Sequence, residues 1–143
     1  MMMRMLVAVD GSENSLRALD RAIELAQQLK DAPRICLINA HDDLPLRNAS
    51  QFVGTRTVED YLRELSETEL QPAIERMRSV QLPFDVKVAR GQPATAIADE
   101  AAAGGYQLVF LGSKGRTTLG DLLIGSVAQR VVEQCTVPVV LVR

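Results

Sequence analysis

Five short apolar runs punctuate the chain: RMLVAVD at 4–10, RICLINAH at 34–41, FDVKVAR at 84–90, QLVFLGS at 107–113 and PVVLVR at 138–143. Four of them are nearly continuous in hydrophobicity and rich in β-branched or large aliphatic residues, which suits strands buried on both faces. FDVKVAR alternates instead. It sets Phe84, Val86 and Val88 on one face and Asp85, Lys87 and Ala89 on the other, and so predicts an edge strand charged on its outer side. Helical periods fill the gaps. In 13–30, Leu16, Leu19, Ile23, Ala26 and Leu29 recur at spacings of three and four, with Ser12 placed to cap the first turn. In 58–80, Val58, Leu62, Leu65, Leu70, Ile74 and Met77 repeat the pattern, and Pro72 stands inside it, where a kink or restart is expected. In 93–104, Pro93 suits the first helical position, with Gly104 or Gly105 just past the end. In 125–135, Val127, Ala128, Val131, Val132 and Cys135 form one stripe.

The order β-α-β-α-β-α-β-α-β predicts an α/β fold, a five-stranded parallel sheet with helices on both faces and right-handed crossovers. Residues 42–57 show no clear period and are expected to form a long polar loop. Nothing marks a second domain, so residues 1–143 are read as one. In such sheets ligands sit beyond the carboxyl ends of the strands, where strand order reverses. Asp10 and Gly11, Asn39 to His41, and Gly112 to Gly115 all fall at strand ends. They converge on one crevice if the first and fourth strands are neighbours.

Composition narrows the functional classes. The net charge of −2 argues against a broad basic surface for nucleic acid, and with 3% aromatic residues and no Trp there is little to stack bases on. Cys36 and Cys135 lie far apart in apolar runs, without metal-ligand spacing, and read as buried reduced thiols. No apolar run approaches a membrane span, and the N-terminus is too short and too soon charged for a signal peptide, so a cytoplasmic protein without membrane partners is expected. His41 is the only histidine and stands beside Asp42 and Asp43; without a second ligand or a nucleophile motif it reads as structural. The acidic residues Glu67, Glu69, Asp99 and Glu100 read as solvated helix face.

The stretch GSKGRTTLGDLLIGS at 112–126 carries the most chemistry. Gly112 and Gly115 remove Cβ atoms where a strand ends, and Gly125-Ser126 opens a helix whose free N–H groups favour an anion. Lys114 and Arg116 add charge for a polyphosphate. The spacing fits a phosphate cradle, and equally a plain βα turn. Asp10 likewise suits a ribose or magnesium contact, or a turn that caps the first helix.

The spacing Gly112-x2-Gly115-x9-Gly125-Ser126 matches the nucleotide motif of the universal stress protein family in its ATP-binding branch. The resemblance extends over the chain. MLVAVDGSENSLRAL resembles the family's first strand and helix, GQPATAIADEA the start of its third helix, and LVFLGSKG and GSVAQRVVEQCTVPVVLV its last two strands and last helix. The resemblance implies a Rossmann-like fold of the adenine nucleotide alpha hydrolase type, with strand order 3-2-1-4-5. It also implies ATP, with Mg2+, as the ligand. Asp10 would then lie near the adenosine, and the backbone of Ile38 near the adenine. Gly112 and Gly115 would lie against ribose and phosphates, with Ser113 and Lys114 between them and Arg116 following. Gly125, Ser126 and Val127 would hold the phosphates through amides and the Ser hydroxyl.

The resemblance further implies a homodimer formed through the closing strand, 138–142, and a nucleotide-dependent regulatory role in stress response. Two alternatives stand beside it. One is a slow ATPase on the same fold, although no Walker A or adenylyl-transfer motif is present. The other is an interaction module that ignores ATP.

Overall fold

The computed structural model describes residues 2–42, 54–114 and 123–143. Its strands are β1 (Arg4–Ala8), β2 (Arg34–His41), β3 (Phe84–Arg90), β4 (Leu108–Gly112) and β5 (Val139–Val142). Its helices are α1 (Glu13–Gln28), α2 (Thr55–Val80), α3 (Pro93–Ala103) and α4 (Ser126–Gln134). All strand pairs are parallel and the sheet order is β3-β2-β1-β4-β5, as the sequence implied. The first and fourth strands are neighbours, so strand order reverses between them and a crevice opens at their carboxyl ends.

Each face of the sheet has its own core. Met5, Val7, Ile35 and Leu37 meet Leu19 and Ile23 of α1 and Leu70 and Met77 of α2. Leu6, Cys36, Ile38, Val109 and Leu111 meet Ile97 of α3 and Val131 of α4. Successive strand residues alternate between these cores, which is why the central runs are apolar without a break.

Local signals set most helix boundaries. The Ser12 hydroxyl accepts the Ser15 N–H at 3.1 Å and starts α1. Pro93 stands in the first turn of α3, and the Gln92 side chain accepts the Thr95 N–H at 2.8 Å. Two expectations change in α2. The helix begins at Thr55, which shortens the expected 42–57 loop, and it is assigned without a break through Pro72. It ends at Val80 and is capped by Gln81, whose φ of 58° is left-handed.

The edge position of β3 agrees with its alternating pattern, but its two faces are used differently from expectation. Val86 and Val88 are 42% and 45% exposed, because α2 lies over β2. Asp85 and Lys87 are the anchored residues. Arg34 makes a two-pronged ion pair with Asp85 at 2.7 and 2.8 Å, and Lys87 pairs with Glu100 of α3. Among the described residues no helix is long and apolar enough to cross a membrane.

Candidate functional site

A cleft lies at the reversal point, on the face that carries α3 and α4. Ala8, Ile38, Ala40, Pro93, Ile97 and Leu111 give it an apolar floor, while Asp10, Ser15, Lys114, Gly125 and Ser126 line its polar side. Seven of the residues singled out in the sequence meet there: Asp10, Ile38, Gly112, Lys114, Gly125, Ser126 and Val127. Ser113 lies behind the wall, 5% exposed, with its carbonyl accepting the Gly125 N–H at 2.6 Å. Gly115 and Arg116 fall outside the described residues, as does most of the expected loop, 43–53.

The N-termini of α1 and α4, both at the cleft, differ chemically. That of α1 is closed on itself. Asp10 Oδ1 accepts both the Ser12 N–H at 2.9 Å and the Ser12 hydroxyl at 2.6 Å, and Ser12 in turn caps Ser15. So Asp10 is a turn-former here, and its carboxylate also lines the cleft. The α4 N-terminus begins at Gly125, which makes no side-chain cap. The first backbone bond of that helix is Gln129 N–H to the Gly125 carbonyl at 3.0 Å. The amides of Ser126 and Val127 therefore have no partner within the helix, and they border the cleft beside Lys114.

Gly112 and Ile38, both at the cleft, also have contacts within the fold. A Cβ on Gly112 would lie 2.7 Å from Asn14 Oδ1 and 3.1 Å from the Asn14 carbonyl carbon. The space this glycine frees is taken by Asn14. At Ile38 the carbonyl already accepts the Val9 N–H at 2.9 Å, while the side chain forms cleft floor.

On the opposite face of β2, Asn39 and His41 point toward α2. Glu69 Oε1 lies 2.6 Å from His41 Nε2 and accepts a 3.0 Å bond from Asn39 Nδ2, which also donates to the Val9 carbonyl at 2.9 Å. Glu69 is thus a buried anchor and not solvated helix face. The Glu100 side chain, 13% exposed, is likewise held, by Lys87 and by the Tyr106 hydroxyl at 3.0 Å. Sequence reasoning missed these two and Asn14, because each partner lies outside the helix that carries the residue. Among the described residues no group of three His, Cys, Asp or Glu side chains is arranged to hold a metal ion.

Comparison with known proteins agrees with this geometry. The profile of the universal stress protein family matches residues 1–143. A universal stress protein of Thermus aquaticus is 30% identical over 139 residues, 96% of each chain. Universal stress protein YxiE of Bacillus subtilis is 28% identical over 147 residues, 98% of each chain. Among solved structures, that of the protein MJ0577 superposes with a TM-score of 0.85 at 22% identity, covering 99% of this chain and 96% of its own. A universal stress protein in complex with cAMP superposes at 0.67, with 22% identity and coverage of 99% and 96%. A family protein from Arabidopsis thaliana with AMP bound superposes at 0.65, with 15% identity and coverage of 97% and 90%.

Proposed function

Since the chain belongs to the universal stress protein family, we propose that it is an ATP-binding regulatory protein whose ligand lies in the cleft at the β1/β4 reversal. The observation that carries this reading is the N-terminus of α4, without a side-chain cap and set at one end of a cleft with an apolar floor. A planar base suits the floor made by Ile38, Ala40 and Ile97. A ribose hydroxyl suits the Asp10 carboxylate. Phosphates suit the amides of Ser126 and Val127, the Ser126 hydroxyl and the Lys114 ammonium. Asp10 is the one carboxylate lining the cleft among the described residues, which is too few for a magnesium cage. Mg2+ would arrive on the phosphates. The adenine nucleotides held by the cAMP and AMP complexes of family members support the ligand class.

The proposal also includes the motif residue Gly115 and, for its charge alone, Arg116, both outside the described residues. We assign the protein to the cytoplasm and to a stress response, with a homodimer formed through β5. That strand ends the sheet, and Val139, Val140 and Leu141 are half-buried on it.

A thermal melt of nucleotide-stripped protein with and without Mg-ATP tests the reading. Ligand at 100 times its dissociation constant adds about 2.7 kcal/mol, a rise of about 5–10 °C. A cooperative melt that ignores ATP would leave the fold and remove the nucleotide, favouring an interaction module that works without it.

A further inference from the structure

Asn14, the second residue of α1, is 7% exposed and joins two places that its own helix does not. Its Oδ1 accepts the Lys114 N–H at 2.6 Å, just past β4, and its Nδ2 donates to the Val142 carbonyl at 3.0 Å, at the end of β5. The Val142 carbonyl also accepts the Ser113 N–H at 2.7 Å, and the Ser113 carbonyl accepts the Gly125 N–H at 2.6 Å. Two hydrogen-bonded routes therefore meet at the Val142 carbonyl near the end of the edge strand, one from Lys114 through Asn14 and one from Gly125 through Ser113, and both start at residues that line the cleft. Gly112 makes room for the first, since a Cβ there would meet the Asn14 amide.

We propose that Asn14 is a positioning residue that couples the nucleotide cleft to the free edge of β5; the proposal rests on the nucleotide reading above. The chemistry calls for a side chain of this length that accepts with one atom and donates with the other. Asp lacks the donor, and Ser is too short to hold both partners. With both ends of a planar amide engaged, a ligand that fixes the Lys114 backbone also fixes the amide, and through it the Val142 carbonyl. The linkage is reciprocal: whatever packs on the β5 edge changes nucleotide affinity by the factor with which nucleotide changes that packing.

The test is backbone amide hydrogen exchange, read by NMR on the full chain with and without saturating Mg-ATP. In the wild type, exchange at Lys114 and Gly125 slows on binding, and exchange at residues 140–143 slows with it by about fivefold or more. Asn14→Asp retains the acceptor facing Lys114 but sets a carboxylate against the Val142 carbonyl, and Asn14→Ser withdraws both contacts. With each variant saturated, so that altered affinity does not enter, Gly125 still responds while the response at 140–143 is sharply reduced, to what the Ser113 link alone transmits. A side chain that only stabilised the fold would speed exchange in the free protein and leave the ligand-dependent difference in place. Retention of the full difference in both variants overturns the coupling. Binding in the wild type with 140–143 unchanged overturns the coupling alone, whether or not either variant folds. No response at any residue of the wild type overturns both the coupling and the nucleotide reading.

Discussion

Gly112 and Asn14 interlock: the hydrogen that Gly112 carries in place of a Cβ leaves the only room for the Asn14 amide, which would otherwise lie 2.7 Å from that carbon. Gly112→Ala therefore forces apart the end of β4 and the start of α1, both buried. The expected cost is about 1–3 kcal/mol, a melting temperature lower by about 2–12 °C in the absence of any nucleotide. An unchanged melt would mean that the glycine serves only the ligand side.

Ser126→Asp separates stability from binding. A carboxylate in the first turn of α4 meets the positive end of the helix, and the free protein gains about 0.3–1 kcal/mol. The same charge occupies the field proposed for the phosphates, so ATP affinity falls by about tenfold or more. Calorimetry and a melt of the free protein should move in opposite directions. Affinity equal to the wild type would place the phosphates elsewhere.

Glu69→Ala removes the acceptor that Asn39 and His41 share. Asn39 is fully buried and its Oδ1 already has no hydrogen-bond partner. The substitution is expected to cost about 1–3 kcal/mol, read as a lower midpoint in urea with the slope unchanged.

Tyr106 gives a pH dependence with a definite sign. Burial, then its neighbours Cys36 and Glu100, push its phenol well above the ordinary tyrosine range. A group with a raised folded-state pKa contributes stability that is complete below its unfolded value, about pH 10, and is lost as pH rises beyond it. In a Tyr61→Phe background, phenolate absorbance should appear only as the protein unfolds. The stability advantage of the wild type over Tyr106→Phe should shrink steadily above about pH 10. Phenolate forming in a fully folded protein would contradict it.

Val140→Lys tests the proposed self-association. A charge on the half-buried edge strand should weaken a dimer formed through β5, and sedimentation would report it as dissociation at higher protein concentration. A full-strength dimer would locate the interface away from β5.

The sequence alone determined the order of elements and the parallel sheet, and it placed the cleft on the condition, met in the fold, that the first and fourth strands are neighbours. Continuous apolar runs demand burial on both faces, and the β-α alternation admits few topologies. It also marked seven residues that meet at the cleft, because Gly125-Ser126 and Asp10 act through their own local backbone, at a helix start and a tight turn. Tertiary structure decided what those signals could not carry. Glu69 and Glu100 look like surface acids by spacing, yet each is held by residues outside its own helix, His41 and Asn39 for one, Lys87 and Tyr106 for the other. The valines of β3 stay partly exposed because α2 lies over β2, and no local pattern says how far a helix extends across the sheet. Gly112 lines the cleft, but the room left by its missing Cβ is taken by Asn14, 98 positions earlier in the chain, a neighbour that no spacing announces. Local periodicity records whether a residue is buried, but only the folded chain settles which partner a buried polar group finds, since that partner is chosen by distance in space and leaves no period in the sequence.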